Sequence, residues 1–225
     1  LMENALDAGA NSIHVLIEDA GKTLIRVRDN GSGMGKDDLE MALKRHATSK
    51  IPTGDLFDIQ SMGFRGEALP SIGSVSRLTL ESSDGTDTTG WSVKTEGGHQ
   101  YALKPKAMTK GTSVDVRDLF FATPARLNFM RSHATEMTHI ISVVQQLALA
   151  HLDVEFSLKS NDKEVLFFSK NLSLAERLNR VFGSNFSKNA LEIDTVFDDF
   201  TLKGFASLPT FHKGTAQNQL FFVIA

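Results

Sequence analysis

The chain contains no cysteine. Disulfides, thiolate nucleophiles and cysteine-based zinc sites are therefore excluded, and the absence fits a reducing compartment such as the bacterial cytoplasm. Tryptophan and tyrosine occur once each, so the 16 phenylalanines carry the aromatic packing. No run of about 18 apolar residues is present, the length a spanning helix needs, and no signal peptide is visible; we expect no membrane partner. Neither sign of charge dominates. With 24 Lys and Arg against 27 Asp and Glu, the net charge is −3 and the pI about 6.2. A surface given over wholly to nucleic acid is thereby excluded, although a local basic patch is not. The chain opens at Leu1 without an initiator methionine, and we expect a piece of a longer protein. What is present is ordinary: 41% hydrophobic residues over 225 positions, enough for one large core or two smaller ones.

Hydrophobic periodicity divides the chain into mixed elements. Leu1 to Ala8 reads as the end of a helix closed by Gly9. Ile13, Val15 and Ile17 alternate as a strand, and a second strand is expected over residues 24–27. Leu39, Ala42, Leu43 and His46 share a helical face over residues 38–46, with His46 read as packing. Residues 48–66 read as a loop and 67–72 as a helix that tolerates Pro70 only in its first turn. Strands are expected over residues 77–82, 91–95 and 113–116, a helix over 134–152, and a hairpin, 154–158 with 164–168, around Asn161-Asp162. A boundary is placed near residues 169–172. Ser173 and Glu176 then form a capping-box pattern opening a helix that Gly183 closes, and strands follow at 191–196, 201–206 and 220–224. Without regular strand–helix alternation, the pattern favours an α+β sandwich.

Four motifs carry chemistry. Asn4, on the first helix, offers an amide oxygen suited to a hard cation, or simply an amide satisfied within the helix. Asp29-Asn30-Gly31-Ser32-Gly33 follows a strand. A carboxylate buried there can accept from an exocyclic amine, and the glycines let backbone approach a flat ligand; the same residues also spell a common hairpin turn. Gly63-Phe64-Arg65-Gly66-Glu67-Ala68-Leu69 places glycines before a helix start, a pattern that can cradle phosphate or merely form a surface loop. It is not a Walker A motif. Gly111-Thr112 enters a strand and offers a hydroxyl, or only a turn. The histidines lack zinc-ligand spacing, His133 and His139 being six apart.

In this order and spacing, the four motifs resemble the GHKL ATPases. The wording of Asn4 to Ala10, Arg45-His46-Ala47-Thr48-Ser49-Lys50, Gly63 to Leu69, and Asp118-Leu119-Phe120-Phe121-Ala122-Thr123-Pro124-Ala125-Arg126 is similar to the MutL family of DNA mismatch-repair proteins. The resemblance is strong to about Leu152 and fainter beyond. It implies a GHKL-type sandwich of helices on a mixed sheet over residues 1–169. Residues 170–225 would form part of a ribosomal-protein-S-five-like α/β domain, similar around Leu208-Pro209-Thr210 and Phe221-Phe222-Val223. It also implies ATP and magnesium. Asn4 would ligate the metal, Asp29 would bind the adenine amine, and Gly31 and Gly33 would shape the base pocket. Ser49, Lys50, Arg65, Gly66, Glu67 and Ala68 would belong to the phosphate-binding loop, and Thr112 would support the adenine end.

Two departures from the family pattern stand out. The family's general-base Glu lies four residues before the metal Asn, ahead of Leu1; Glu3, adjacent to Asn4, points to another helix face. At the other end, Val223-Ile224-Ala225 stands where the family continues with Val-Asn-Gly-Arg, so the phosphate-sensing Lys of that later region is not assigned. The resemblance implies partners: DNA, a second copy on ATP binding, and a mismatch-recognition protein. An acidic chain must concentrate its cations to bind DNA, and Arg126, Arg131, Lys159 and Lys163 are the candidates, against the reading that they are solvated surface charges. Two further functions stay open: a nucleotide- or DNA-binding module without turnover, and another GHKL ATPase such as a topoisomerase subunit.

Overall fold

A computed structural model describes residues 1–44, 67–87, 89–197 and 200–211. The first helix, α1 (Met2–Asp7), buries Met2 and Ala5. It ends as the sequence anticipates: Gly9 adopts φ +70°, its amide donates to Leu6 O, and that of Ala10 donates to Ala5 O. These are the paired bonds of a Schellman ending. The chain then enters β1 (Ser12–Glu18), whose Ile13, Val15 and Ile17 point into the core, and returns antiparallel as β2 (Leu24–Asp29).

Helix α2 (Lys36–Met41) follows, its acidic first turn suited to the helix dipole. It starts earlier than the periodicity predicts, because Gly35 supplies the extended N-cap. Helix α3 (Ala68–Gly73) carries Pro70 in its first turn, as required. Strands β3 (Arg77–Ser83), β4 (Gly90–Glu96), β5 (His99–Gln100), β6 (Lys104–Lys106) and β7 (Gly111–Arg117) come next. A 3-10 segment at Pro124–Phe129 leads to α4 (His133–Ala150), capped by Ser132. The hairpin β8 (Glu155–Ser160) and β9 (Lys163–Phe168) turns at Asn161 and Asp162, at φ +46° and +65°. Positive φ at both central residues is what a tight hairpin turn of the primed type demands.

Among the described residues these nine strands form one sheet, ordered β5-β4-β3-β7-β2-β1-β8-β9, with β6 beside β4. Only β1 and β8 run parallel, so the sheet is mixed, and with its helices the architecture is α+β. One core cluster joins β1 and β8 to α1 and α4 through Ile13, Val15, Ile17, Phe156, Leu158, Met2, Ala5, Met137, Val144 and Ala148. A second gathers Leu39 of α2 with Leu78, Leu80, Val93, Val114 and Val116. The helices therefore cover one face of the sheet.

Helix α5 (Leu174–Phe182) opens with the capping box that Ser173 and Glu176 predict and ends at Gly183, φ +102°. It is tied to the rest by Arg177, which is fully buried and donates to five backbone carbonyls: those of Ala148, His151, Leu152, Val154 and Ser169. Strands β10 (Ala190–Phe197) and β11 (Phe200–Ser207) pair as a separate two-stranded sheet. The strand expected at 220–224 lies outside the described residues.

Candidate functional site

Three neighbouring strands set the site. Their antiparallel registers align Leu78, Val116 and Ile25, then Leu80, Val114 and Val27, and finally Ser82, Thr112 and Asp29. Two apolar rows thus give way, at one end of the sheet, to a row of three polar side chains. All three are buried, Ser82 completely and Asp29 and Thr112 to 9% exposure.

Asp29 Oδ1 accepts from the Gly31 amide at 2.9 Å. Burial pushes its pKa above the usual carboxylate range, and the nearby main-chain N–H groups of Gly31 and Thr112 oppose that shift. Asp29 thus keeps lone pairs beyond those its own backbone occupies. Next to it, Thr112 Oγ1 lies 2.9 Å from Ser82 Oγ; Ser82 also donates to Gly111 O at 3.0 Å and accepts from the Met34 amide at 2.9 Å.

Both glycines of this loop pack tightly against neighbouring protein atoms. Gly33 adopts φ +69°, and a Cβ there would stand 1.9 Å from Ser83 O. At Gly31 a Cβ would meet Ala8 O at 2.8 Å and Asp29 Oδ1 at 3.1 Å. Asp29 to Gly33 is not a hairpin turn: β2 leads through it to α2, not to a paired strand.

Asn30, which the sequence reading passed over, locks this loop to the turn before β1. Its Oδ1 accepts from the Asn11 and Ser12 amides at 3.0 Å each, and its Nδ2 donates to Asn11 Oδ1 at 2.8 Å. The Ser32 amide donates to Ala8 O at 2.8 Å. Ala8 lies one helical turn after Asn4, so the half-buried Asn4 belongs to the helix held against this loop. A single neutral amide oxygen suits a magnesium ion that keeps its waters and shares substrate phosphates. Glu3 is exposed.

Glu67 and Ala68 are exposed at the opening of α3, and Glu67 is its N-cap. Ser49, Lys50, Arg65 and Gly66 lie outside the described residues, as does His46. A cleft of about 270 Å³ borders Asp29, lined by Ser12, His14, Arg28, Asn30 and Lys110. Its His14 and Arg28 are cross-strand partners whose side chains alternate with Ile13 and Asp29. That cleft therefore belongs to the outer face of the sheet, and the polar row faces the helices.

The four candidate DNA cations are all exposed and fall in two pairs. Arg126 lies over the Phe120 ring, 4.4 Å from its centroid, and Arg131 Nη1 is 3.3 Å from His139 Nε2. Lys159 and Lys163 flank the β8–β9 turn. Ser160 Oγ is 3.9 Å from Met137 Sδ, which puts that turn beside the first half of α4, the helix that Arg131 precedes.

The family described as histidine kinase-, DNA gyrase B- and HSP90-like ATPase matches residues 1–112. The chain is 45% identical to the DNA mismatch repair protein MutL of Paramagnetospirillum magneticum and 47% identical to that of Brucella anthropi. Each match covers 99% of this chain but only 38% and 36% of those proteins, so the chain spans well under half the length of these relatives. Among solved structures, the Aquifex aeolicus MutL ATPase domain complexed with ADP is similar at TM-score 0.73 and 33% identity, covering 92% of this chain and 72% of that one. The ATPase domain of the A. aeolicus mismatch repair endonuclease MutL is similar at TM-score 0.68 and 30% identity, covering 92% and 68%. No described helix is long and apolar enough to cross a membrane. The chain belongs to the MutL family of DNA mismatch-repair proteins and carries the GHKL-type ATPase fold of that family.

Proposed function

We propose that this chain binds ATP and forms the ATP-hydrolysing part of a MutL-type mismatch-repair protein. The carrying observation is the buried Asp29 carboxylate at the end of β2, held by the Gly31 amide beside glycines that leave no room for a side chain. An ionised carboxylate there accepts from the adenine exocyclic amine, and Gly31 and Gly33 let the base lie against backbone. Thr112 supports the same end of the base. Asn4 would hold magnesium, which neutralises phosphate charge when bound. Glu67 and Ala68 would meet the phosphates at the start of α3, together with Ser49, Lys50, Arg65 and Gly66.

Within this proposal the chain divides into residues 1–169 and 170–225, the second part bearing the β10–β11 sheet. Nucleotide binding would favour pairing with a second copy, and DNA would bind through phosphates at Arg126, Arg131, Lys159 and Lys163. A mismatch-recognition protein would be the further partner. The test is calorimetric titration of ATP with magnesium into the parent and Asp29→Asn. The amide sets a donor against the amine, and leaving that buried pair unsatisfied costs about 1–3 kcal/mol, roughly 5- to 150-fold in affinity. Equal affinities would remove Asp29 from the base site.

A further inference from the structure

Hydrogen inventory at the polar row gives Ser82 a role. A hydroxyl has one proton and two acceptor sites. Ser82 Oγ makes three contacts: to Gly111 O at 3.0 Å, to the Met34 amide at 2.9 Å and to Thr112 Oγ1 at 2.9 Å. A carbonyl oxygen brings no proton, so the Gly111 contact takes the proton of Ser82. The Met34 amide can only donate. The bond between the two hydroxyls must then carry the proton of Thr112, donated to Ser82.

Thr112 is left with lone pairs alone to offer a ligand. Asp29, its register partner across β2 and β7, is likewise an acceptor when ionised. Resting on the ATP-binding reading above, we propose that Ser82 is a positioning and specificity residue. By taking the Thr112 proton, it makes the polar row a pure acceptor surface that admits a 6-amino purine and rejects a 6-oxo purine. A carbonyl at the 6 position would face acceptors with no proton between them, an arrangement that buried sites penalise strongly.

Without Ser82, the Thr112 hydroxyl is free to turn its proton toward the ligand and satisfy a 6-oxo group. The experiment measures affinities for ATP and for inosine triphosphate, its 6-oxo analogue, by calorimetry on full-length parent, Ser82→Ala, Ser82→Thr, Thr112→Val and the Ser82→Ala/Thr112→Val double variant. The parent is expected to prefer ATP. Ser82→Ala should shrink that preference about tenfold, mainly by improving inosine triphosphate binding. Ser82→Thr, which keeps the hydroxyl, should restore it. Because Ser82 acts through the Thr112 hydroxyl, the double variant should match Thr112→Val; contacting residues that act as one unit are not additive.

A purely structural Ser82 would instead lower both affinities in proportion and leave their ratio at the parent value, which overturns the proposal. A Ser82→Ala effect that persists in full on the Thr112→Val background also overturns it, since the route through Thr112 is then wrong. Failure of the parent to bind either nucleotide refutes the ATP-binding reading itself, and that outcome is separable from the other two.

Discussion

Replacing Arg177 by Met should destabilise the fold through backbone groups far from the polar row. The guanidinium is fully buried, and its partners are carbonyls at the end of α4, in the turn to β8 and after β9: Leu152 O at 2.8 Å, Val154 O at 2.9 Å, Ser169 O at 2.8 Å, His151 O at 3.1 Å, and Ala148 O. A cation at a helix C-terminus is favoured by the helix dipole, and here it also satisfies carbonyls that have no intrahelical partner. His151 O and Ser169 O have second donors, the Val154 and Leu172 amides. Ala148 O, Leu152 O and Val154 O rely on the arginine most, and a buried carbonyl left unsatisfied costs about 1–3 kcal/mol. Burial also depresses the Arg177 pKa, Asp153 opposing it, so removing the charge recovers part of its desolvation cost. Methionine keeps the aliphatic stem. Setting three orphaned carbonyls against that recovered desolvation leaves a net loss of about 2–4 kcal/mol. Urea unfolding of parent and Arg177→Met measures it, and hydrogen exchange should show α5 opening before the nine-stranded sheet. A change within about 0.5 kcal/mol, the range of ordinary surface substitutions, would refute the reasoning.

Gly33→Ala should lower stability by at least the roughly 1–3 kcal/mol of a strained positive-φ residue, since a Cβ would also press on Ser83 O, and ATP affinity should fall with it; an unchanged urea midpoint contradicts the close approach. ATP affinity should weaken in acid as Asp29 protonates, with a midpoint in the free protein above the ordinary aspartate value of about 3.9, and Asp29→Asn should flatten the profile. The stability sign is the reverse: a raised folded pKa means that the contribution of Asp29 to the ligand-free fold is present below its unfolded pKa and fades as pH rises through the folded one. Arg131→Ala and Lys159→Ala should each reduce the salt slope of duplex-DNA binding by about 1 in anisotropy titrations; unchanged slopes for both put the DNA surface elsewhere.

Elements with a strong local signal were readable directly. Gly9 and the Ser173–Glu176 box mark helix ends because they satisfy backbone groups within a few residues, and Asn161-Asp162 marks a turn because both positions need positive φ. Strands β5 and β6 were not readable. At two and three residues they carry no alternation, and they exist only because β4 offers an edge to pair with. Arg177 left a trace that was overlooked. It falls between Leu174 and Val181 on the apolar side of α5, where a charge demands partners, but those partners are carbonyls of other segments and carry no sequence signature.

The candidate site divides along the same line. Asp29, Gly31, Gly33 and Thr112 could be named from local wording, yet each alone also reads as an ordinary turn or strand entry. What local wording leaves out is register. Alternation along β3 puts Ser82 on the face of Leu78 and Leu80, a core position given to a polar residue, and that anomaly was legible in principle. Its meaning was not. Only the pairing of β3 with β7 and of β7 with β2 sets Ser82 beside Thr112 and Thr112 beside Asp29. A one-residue slip in either ladder would turn one of these side chains to the outer face and break the row. The apolar rows Leu80-Val114-Val27 and Leu78-Val116-Ile25 penalise such a slip, because it would expose buried side chains at the same time. The core thus holds the register on which the polar row depends, and substitutions at Val114 should disturb the polar row without touching any residue in it.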